Sequence, residues 1–248
     1  MAKRLFDLAF AVTFLVVLSP LLAAALFAVW LQDRSSPVYA ARRVARGNGD
    51  FTMYKIRSML VDADKSGVNS TGDGDTRVTR VGRLVRKTKF DEFLQCVNIL
   101  KGDMSVVGPR PNTRAWGVDL YTADEMRLLS VRPGITDLAS IVFSDEAAIL
   151  KGAAHPDLAY NQLIRPWKSR LGLFYIDHMN LGLDLRICML TLGALTDKRR
   201  ALDGVVALLE RHGADPDLIA VCRRERDLTP TAPPGARSIQ TEAYEPAT

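Results

Sequence analysis

Cysteine and histidine are scarce in this 248-residue chain, with three of each, and none stands at a spacing that metal or disulfide chemistry would need. Cys96, Cys188 and Cys222 form no paired pattern and no metal knuckle, which argues against a disulfide scaffold and a zinc site and fits a reducing compartment. His155, His178 and His212 are too scattered for a sequence-local imidazole metal site. There is no internal repeat, and residues 8–31 carry no charge at all. Elsewhere charge is plentiful, and the net value of +5 favours an anionic partner: nucleic acid, an anionic membrane surface or a phosphorylated small molecule. The length suits one sizeable core.

The uncharged run, LAFAVTFLVVLSPLLAAALFAVWL, would as a helix rising about 1.5 Å per residue be long enough for ~30 Å of hydrocarbon. A cleavable signal peptide is one rival, since Lys3 and Arg4 precede the run and alanines stand at 23–25. The run continues through Leu26, Phe27, Val29 and Trp30 past any such cut, which speaks against it. A straight crossing is the other rival. Pro20 interrupts the helix at a cost of about 3 kcal/mol, small beside burial of the apolar side chains at ~1.5–3 kcal/mol for each large one. Lys3 and Arg4 on one flank, and Arg34, Arg42, Arg43 and Arg46 on the other, all favour the cytoplasmic side. Both flanks obtain it only if the chain enters and leaves by one face. The sequence therefore predicts a re-entrant membrane helix over 1–33, broken at Ser19 and Pro20.

A basic loop follows. FTMYKIRSM (51–59) has the composition of a strand or strand-like arm, and its period of two puts Lys55 and Arg57 on one face. SGVNSTGDGD (66–75) reads as a flexible loop. In TRVTRVGRLVRKTK (76–89), Val78, Val81 and Val85 fall at helical spacing, with Arg77, Arg80, Arg83 and Arg86 on the other side. The plain reading of those arginines is a solvated or lipid-facing surface. Phe90, Phe93, Leu94 and Val97 mark the next apolar stripe, with Asp91 at its edge and Glu92 on its polar side. Thr88 and Asp91 have capping-box spacing, so the acids open a helix; the plain alternative is that they complement its dipole for ~0.3–1 kcal/mol each.

GDMSVVGPRP (102–111) is a rigid turn around Arg110, and VRPGIT (131–136) repeats the device around Arg132. Guanidinium forks suit bidentate phosphate binding, while a solvated charge in a loop is the plain alternative. Leu181, Leu185, Cys188, Met189, Leu192 and Leu195 trace an apolar helical face, either core or an interface helix lying on a membrane. Short helical patterns follow around 202–211 and 215–226, and the proline-rich chain beyond Leu228 reads as disordered.

In order, KRLFD (3–7), SP (19–20), YKIRSM (54–59), TRVTRVGRLVRKTKFDEFLQ (76–95), NILKGDMSVVGPRP (98–111) and VRPGIT resemble the bacterial sugar transferase family, the monotopic phosphoglycosyl transferases, in their small form without an N-terminal multispan domain. The resemblance covers about 3–197. With the patterns above, it implies a mainly helical α+β fold: a re-entrant membrane helix hairpin over 1–33, a small cytoplasmic globular domain with interface helices over 34–197, a helical extension over 198–227 and a disordered tail over 228–248. The implied reaction moves a sugar-1-phosphate from a UDP-sugar to a polyprenyl phosphate, undecaprenyl phosphate, with release of UMP and a requirement for Mg2+. It would be the first membrane step of bacterial glycoconjugate synthesis, on the cytoplasmic face of the inner membrane. Asp91 is then the nucleophile that carries a covalent phosphosugar, and Glu92 holds the metal with it or handles protons. Arg86 and Arg110 match phosphate-site positions, and Lys55, Arg57 and Arg132 are further candidates. The implied partners are the donor, the lipid acceptor and the bilayer, not nucleic acid, and a homodimer is left open.

Two stretches depart from the family pattern. Many relatives place a glutamine and a glycine where this chain has Ala41 and Ala45, keeping only Arg43, and many read GITGWAQ where this chain reads GITDLAS (134–140). The chemistry still has a physical reason. A carboxylate approaching a diphosphate meets repulsion of about 4 kcal/mol per unit pair at 4 Å and an effective dielectric near 20, which a divalent cation and fixed arginines would offset. Two other functions fit the residues: a magnesium-dependent nucleotide-sugar hydrolase, and a basic membrane-anchored scaffold whose binding falls steeply with salt.

Overall fold

The computed structural model describes residues 1–63, 75–115 and 117–241; the glycine-rich loop expected at 66–75 lies, but for Asp75, outside them. Helices α1 (Ala2–Val17) and α2 (Ser19–Asp33) open the chain and meet at Leu18 with a bend of 65°. Pro20 has no N–H for the Val16 carbonyl, and the Ser19 hydroxyl donates to that oxygen instead, at 2.8 Å. Neither helix alone is long and apolar enough to cross a membrane; the bent pair together meets that test by length and composition.

Buried polar contacts clamp α1 to the rest of the molecule. Asp7 is 1% exposed and accepts from the Ser105 hydroxyl and the Val106 N–H, both at 2.9 Å. Lys3 reaches the Asp184 carboxylate at 2.9 Å and the Val107 carbonyl at 3.0 Å, and Tyr175 donates to the same Asp184 at 2.6 Å.

The stretch after α2, expected as a basic loop, contains a strand. β1 (Val38–Val44) pairs antiparallel with β2 (Asp50–Ile56), with Tyr39 opposite Lys55 and Arg43 opposite Phe51. Its turn uses left-handed backbone at Gly47 and Asn48, two residue types that adopt it readily. The outer edge of β2 is covered by the fully buried Asn98, whose amide donates to the Thr52 carbonyl and accepts from the Tyr54 N–H. Helix α3 (Arg80–Lys87) is capped by Thr79, whose hydroxyl accepts from the Gly82 N–H at 2.9 Å.

Beyond the acidic turn come α4 (Gln95–Lys101) and the short strands β3 (Ser105–Val107) and β4 (Gly134–Thr136), which pair in parallel. Then follow α5 (Leu138–Val142), α6 (Glu146–Ile149), α7 (Pro156–Ala159), a π-turn at Tyr160–Ile164, α8 (Arg165–His178), α9 (Leu181–Ala194), α10 (Lys198–Arg211) and α11 (Pro216–Arg223). The protein is thus mainly helical, with small sheets.

The main core gathers α1, α4, β3, α5, α8, α9 and α10 around such fully buried residues as Ile99, Met104, Ile141, Leu171, Ile187 and Leu209. A second cluster packs α2 onto β2, α3 and the acidic turn, through Val29, Ile56, Val85 and Leu94. Helix α9 offers the core Leu183 and Ile187, while Leu181, Leu185, Met189, Leu192 and Leu195 point outward. Of the apolar stripe read in the sequence, the half-buried Cys188 packs on the core, and the other five residues are exposed. Of the tail read as disordered over 228–248, residues 228–241 are described and lie along the protein as an irregular strap. Leu228 packs on the core, Arg170 donates to the Ala232 carbonyl, Thr122 to that of Pro234, and Gln162 to that of Gln240. Backbone carbonyls exposed by an irregular proline-rich chain meet side-chain donors here, which composition alone does not reveal.

Candidate functional site

The acidic pair sits where α3 ends. Thr88 does not form the expected capping box, because its hydroxyl turns back to the Leu84 and Val85 carbonyls, both at 3.1 Å, at the C-terminus of α3. Lys89 then takes a left-handed conformation, φ 57°, uncommon for a residue with a β-carbon, and a 3-10 turn runs over Phe90–Leu94. At three residues per turn, and entered through that kink, the segment points its side chains differently from the α-helix read in the sequence. Asp91 is buried, and Glu92, expected on the polar side, is only 15% exposed at its side chain. The turn is held from below by stacked rings: Phe90 on Phe93 at 4.5 Å, Phe93 on Phe14 of α1 at 5.5 Å, and Phe14 on Phe10 at 4.2 Å.

Arg110 grips Glu92 with both ends of its fork, Nη2 to Oε1 at 2.5 Å and Nη1 to Oε2 at 3.1 Å, and Lys55 Nζ joins at 3.3 Å. The arginine is itself positioned by the two proline loops singled out in the sequence, which lie side by side. The Gly108 N–H donates to the Thr136 carbonyl and the Gly134 N–H to that of Pro109. A β-carbon on Gly134 would stand 2.2 Å from the Gly108 nitrogen, so the approach requires glycine there. Ile135 then offers its carbonyl to Arg110 Nη1 at 2.9 Å, and Asp137 accepts from the Arg110 N–H at 3.2 Å.

The electrostatics divide the two acids. Burial alone would raise the Glu92 carboxyl, but the charges of Arg110 and Lys55 outweigh it and hold its pKa down at about 2. Asp91 is pushed the other way, by burial first and by the neighbouring Glu92 charge second, with Lys55, Arg86 and Lys89 limiting the rise. Among the described residues the Asp91 carboxylate has no hydrogen-bond or ion-pair partner. Arg86 adds a buried guanidinium nitrogen, Nη1, also without a partner.

Of the residues named from sequence, Asp91, Glu92, Lys55, Arg86 and Arg110 are thus brought together. Arg57 and Arg132 are not. Arg57 follows the end of β2 and is taken up by Asp33 at the foot of α2, in a fork of two 2.6 Å bonds, and by the Ser36 carbonyl. Arg132 turns its Nε to the Gly102 carbonyl at 2.8 Å, bracing the end of α4. Three residues not singled out for the site belong to its surroundings. Lys89 bears on both acids; Arg43 feels the Arg110 charge, its pKa lowered by burial and by that neighbour; Asp137 holds the Arg110 backbone while capping α5 through the Ser140 N–H at 2.6 Å. The Asp-x-x-Ser spacing ahead of an apolar run was the signal available for Asp137.

Among the described residues, no cluster of three or more histidine, cysteine, aspartate or glutamate side chains could hold a metal. A magnesium ion bound mainly through substrate phosphates needs only one or two protein carboxylates. Asp91, with both oxygens uncommitted, fits that role; Glu92 would have to release Lys55 or Arg110 to share it.

A carboxylate pair set in fixed guanidinium and ammonium charge, beside a bent apolar helix pair, defines a site for anionic chemistry. The chain belongs to the bacterial sugar transferase family, whose model matches residues 1–198. It is 41% identical over 143 residues to the UDP-N-acetylgalactosamine-undecaprenyl-phosphate N-acetylgalactosaminephosphotransferase of Aeromonas hydrophila, covering 56% of this chain and 34% of that protein. It is 36% identical over 196 residues to the undecaprenyl-phosphate glucose phosphotransferase of Komagataeibacter xylinus, covering 77% of this chain and 35% of that one. A shorter relative, the uncharacterized sugar transferase EpsL of Bacillus subtilis, is 35% identical over 189 residues, which cover 76% of this chain and 84% of EpsL. The chain thus spans about a third of the length of the first two relatives.

Proposed function

We propose that this protein transfers a sugar-1-phosphate from a UDP-sugar to undecaprenyl phosphate, releasing UMP. The observation that carries the proposal is the division between the acids: Glu92 neutralised by Arg110 and Lys55, and Asp91 left buried and unpartnered beside the free Arg86 nitrogen. The names of the two longer relatives, both undecaprenyl-phosphate phosphotransferases, support the acceptor.

In the first step an Asp91 carboxylate oxygen attacks the sugar-bearing phosphorus, the bond to the bridging oxygen of UMP breaks, and an aspartyl phosphosugar forms. In the second step a phosphate oxygen of the lipid attacks the same phosphorus, and Asp91 leaves as carboxylate. Raising the Asp91 pKa strengthens its oxygen as a nucleophile, and the surrounding cations limit that rise. Arg86 and Arg110 present donors where charge spreads over the phosphoryl oxygens. Magnesium, when bound, would supply further neutralisation of the diphosphate. A carboxylate held at about 2, with both oxygens committed, is no proton carrier at neutral pH, so Glu92 positions Arg110 and Lys55.

The bent pair α1 and α2 would dip into the cytoplasmic face of the bacterial inner membrane and return, with the outward apolar row of α9 at the interface and the acidic turn at the depth of the lipid phosphate. Asp91→Asn is the test. Turnover, read as UMP release from a panel of UDP-sugars with undecaprenyl phosphate, should fall at least about a thousandfold, while an acylphosphate adduct on Asp91 should be trapped by mass spectrometry in the unaltered protein. Substantial turnover by the variant, or an adduct on another side chain, would overturn the assignment.

A further inference from the structure

A second anion-attracting feature of the molecule lies in the family-matched α9 and in α10, which follows the matched region almost entirely. The two helices run antiparallel and pack tightly where Gly204 meets Leu190; a β-carbon there would come within 2.4 Å of the leucine. Toward the start of α9 and the end of α10 a cleft of about 330 Å³ opens, lined by Asn180, Gly182, Arg186, Ala207, Arg211 and His212 among others. No carboxylate lines it among the described residues. Arg186 and Arg211 have no ion-pair or hydrogen-bond partner among the described residues, whereas the neighbouring Glu210 and Asp184 are engaged by Arg223 and by Lys3.

His212 lines the same cleft. Its Nδ1 is spent on the Leu208 carbonyl at 2.9 Å, and its ring stands edge-on to that of His178 at 5.1 Å, itself tied to the Phe174 carbonyl. Both imidazoles are thereby held in orientation, with Nε2 free of the backbone. Two guanidinium forks on one cleft, with no carboxylate among its described lining residues, complement a phosphate group, which takes bidentate bonds from arginine. The outward apolar row of α9 begins at the same end, with Leu181 and Leu185 preceding Arg186 in sequence, so a phosphate attached to an apolar tail would be met by both surfaces.

We propose that the α9–α10 cleft is a phosphate-binding site, separate from the acidic turn, held by Arg186 and Arg211. The phosphate can come from an anionic lipid headgroup or from a soluble phosphorylated solute, and two measurements on the full chain in zwitterionic nanodiscs separate the sources. Native mass spectrometry counts anionic phospholipid retained when it is doped into the disc, and phosphorus NMR titration follows inorganic phosphate. Arg186→Gln with Arg211→Gln should weaken one of the two by at least about tenfold, as expected for losing charge-assisted bonds. The paired lysine variant, which keeps the charge, should retain part of the binding. Loss in the lipid arm assigns a headgroup, and loss in the phosphate arm alone assigns a solute. Unchanged binding in both arms, or glutamine and lysine variants that behave alike, would overturn the proposal.

Discussion

At the scale of single residues, the two adjacent acids have opposite surroundings, and their substitutions should differ accordingly. Glu92→Gln leaves Arg110 and Lys55 without the carboxylate that bonds them both, at a cost of ~2 kcal/mol for the stranded charges; the variant should unfold at lower temperature as well as turn over slowly. Asp91→Asn removes an unpartnered charge and should leave the unfolding temperature close to that of the original protein. Arg86→Gln should raise the donor KM about tenfold, because an unpaired guanidinium nitrogen is available for a phosphate oxygen. An unchanged KM would place the donor elsewhere. The acid pair and Arg110 were legible in the sequence because few other residues combine such charge with such rigid neighbours. The fork between Glu92 and Arg110 spans 18 positions and was not, since local spacing says nothing about which loops meet. Arg57 shows the opposite failure: the strand read over 51–59 ends at Ile56, and Arg57, just beyond it, is captured by Asp33, 24 residues earlier.

At the scale of elements, two devices set the geometry. One is the pair of glycines, Gly108 and Gly134, that lets the proline loops touch. Gly134→Ala must push β3 from β4 and carry Arg110 away from Glu92; overpacking of this kind costs about 1–3 kcal/mol, and calorimetry together with UMP release should show stability and turnover falling together. The other is the break at Leu18. Replacing both Ser19 and Pro20 by alanine restores an N–H for the Val16 carbonyl and should straighten the pair. Cysteine labelling of the N-terminus from each side of sealed vesicles would then report transfer to the far side, and labelling confined to the original side would count against a re-entrant path. The break was read directly from Pro20. The strand β1 was missed because its register partner, β2, is what makes an arginine-rich stretch extended, and the 3-10 turn because a left-handed Lys89 leaves no mark in a propensity scale.

At the scale of the whole molecule, α1 is fastened to the core by buried polar groups as well as by apolar packing. Asp7→Ala strands the Val106 N–H and the Ser105 hydroxyl, and the loss, about 1–3 kcal/mol for an unsatisfied buried donor, should lower the melting temperature by several degrees. A melting temperature unchanged within a degree or so would show that the contact contributes little. The motif KRLFD was legible as part of a family pattern, yet its work as a clamp appears only when Asp184, Tyr175 and Val107 are seen around Lys3.

The ladder of rings from Phe10 through Phe14 and Phe93 to Phe90 has a mechanical corollary. The stack ties the N-terminal helix to the acidic turn, so under the proposed function a tilt of the helix would raise or lower Asp91 with it. Altitude of the reacting oxygen above a lipid surface would then be tuned by helix pitch, without any rearrangement among the groups that surround it.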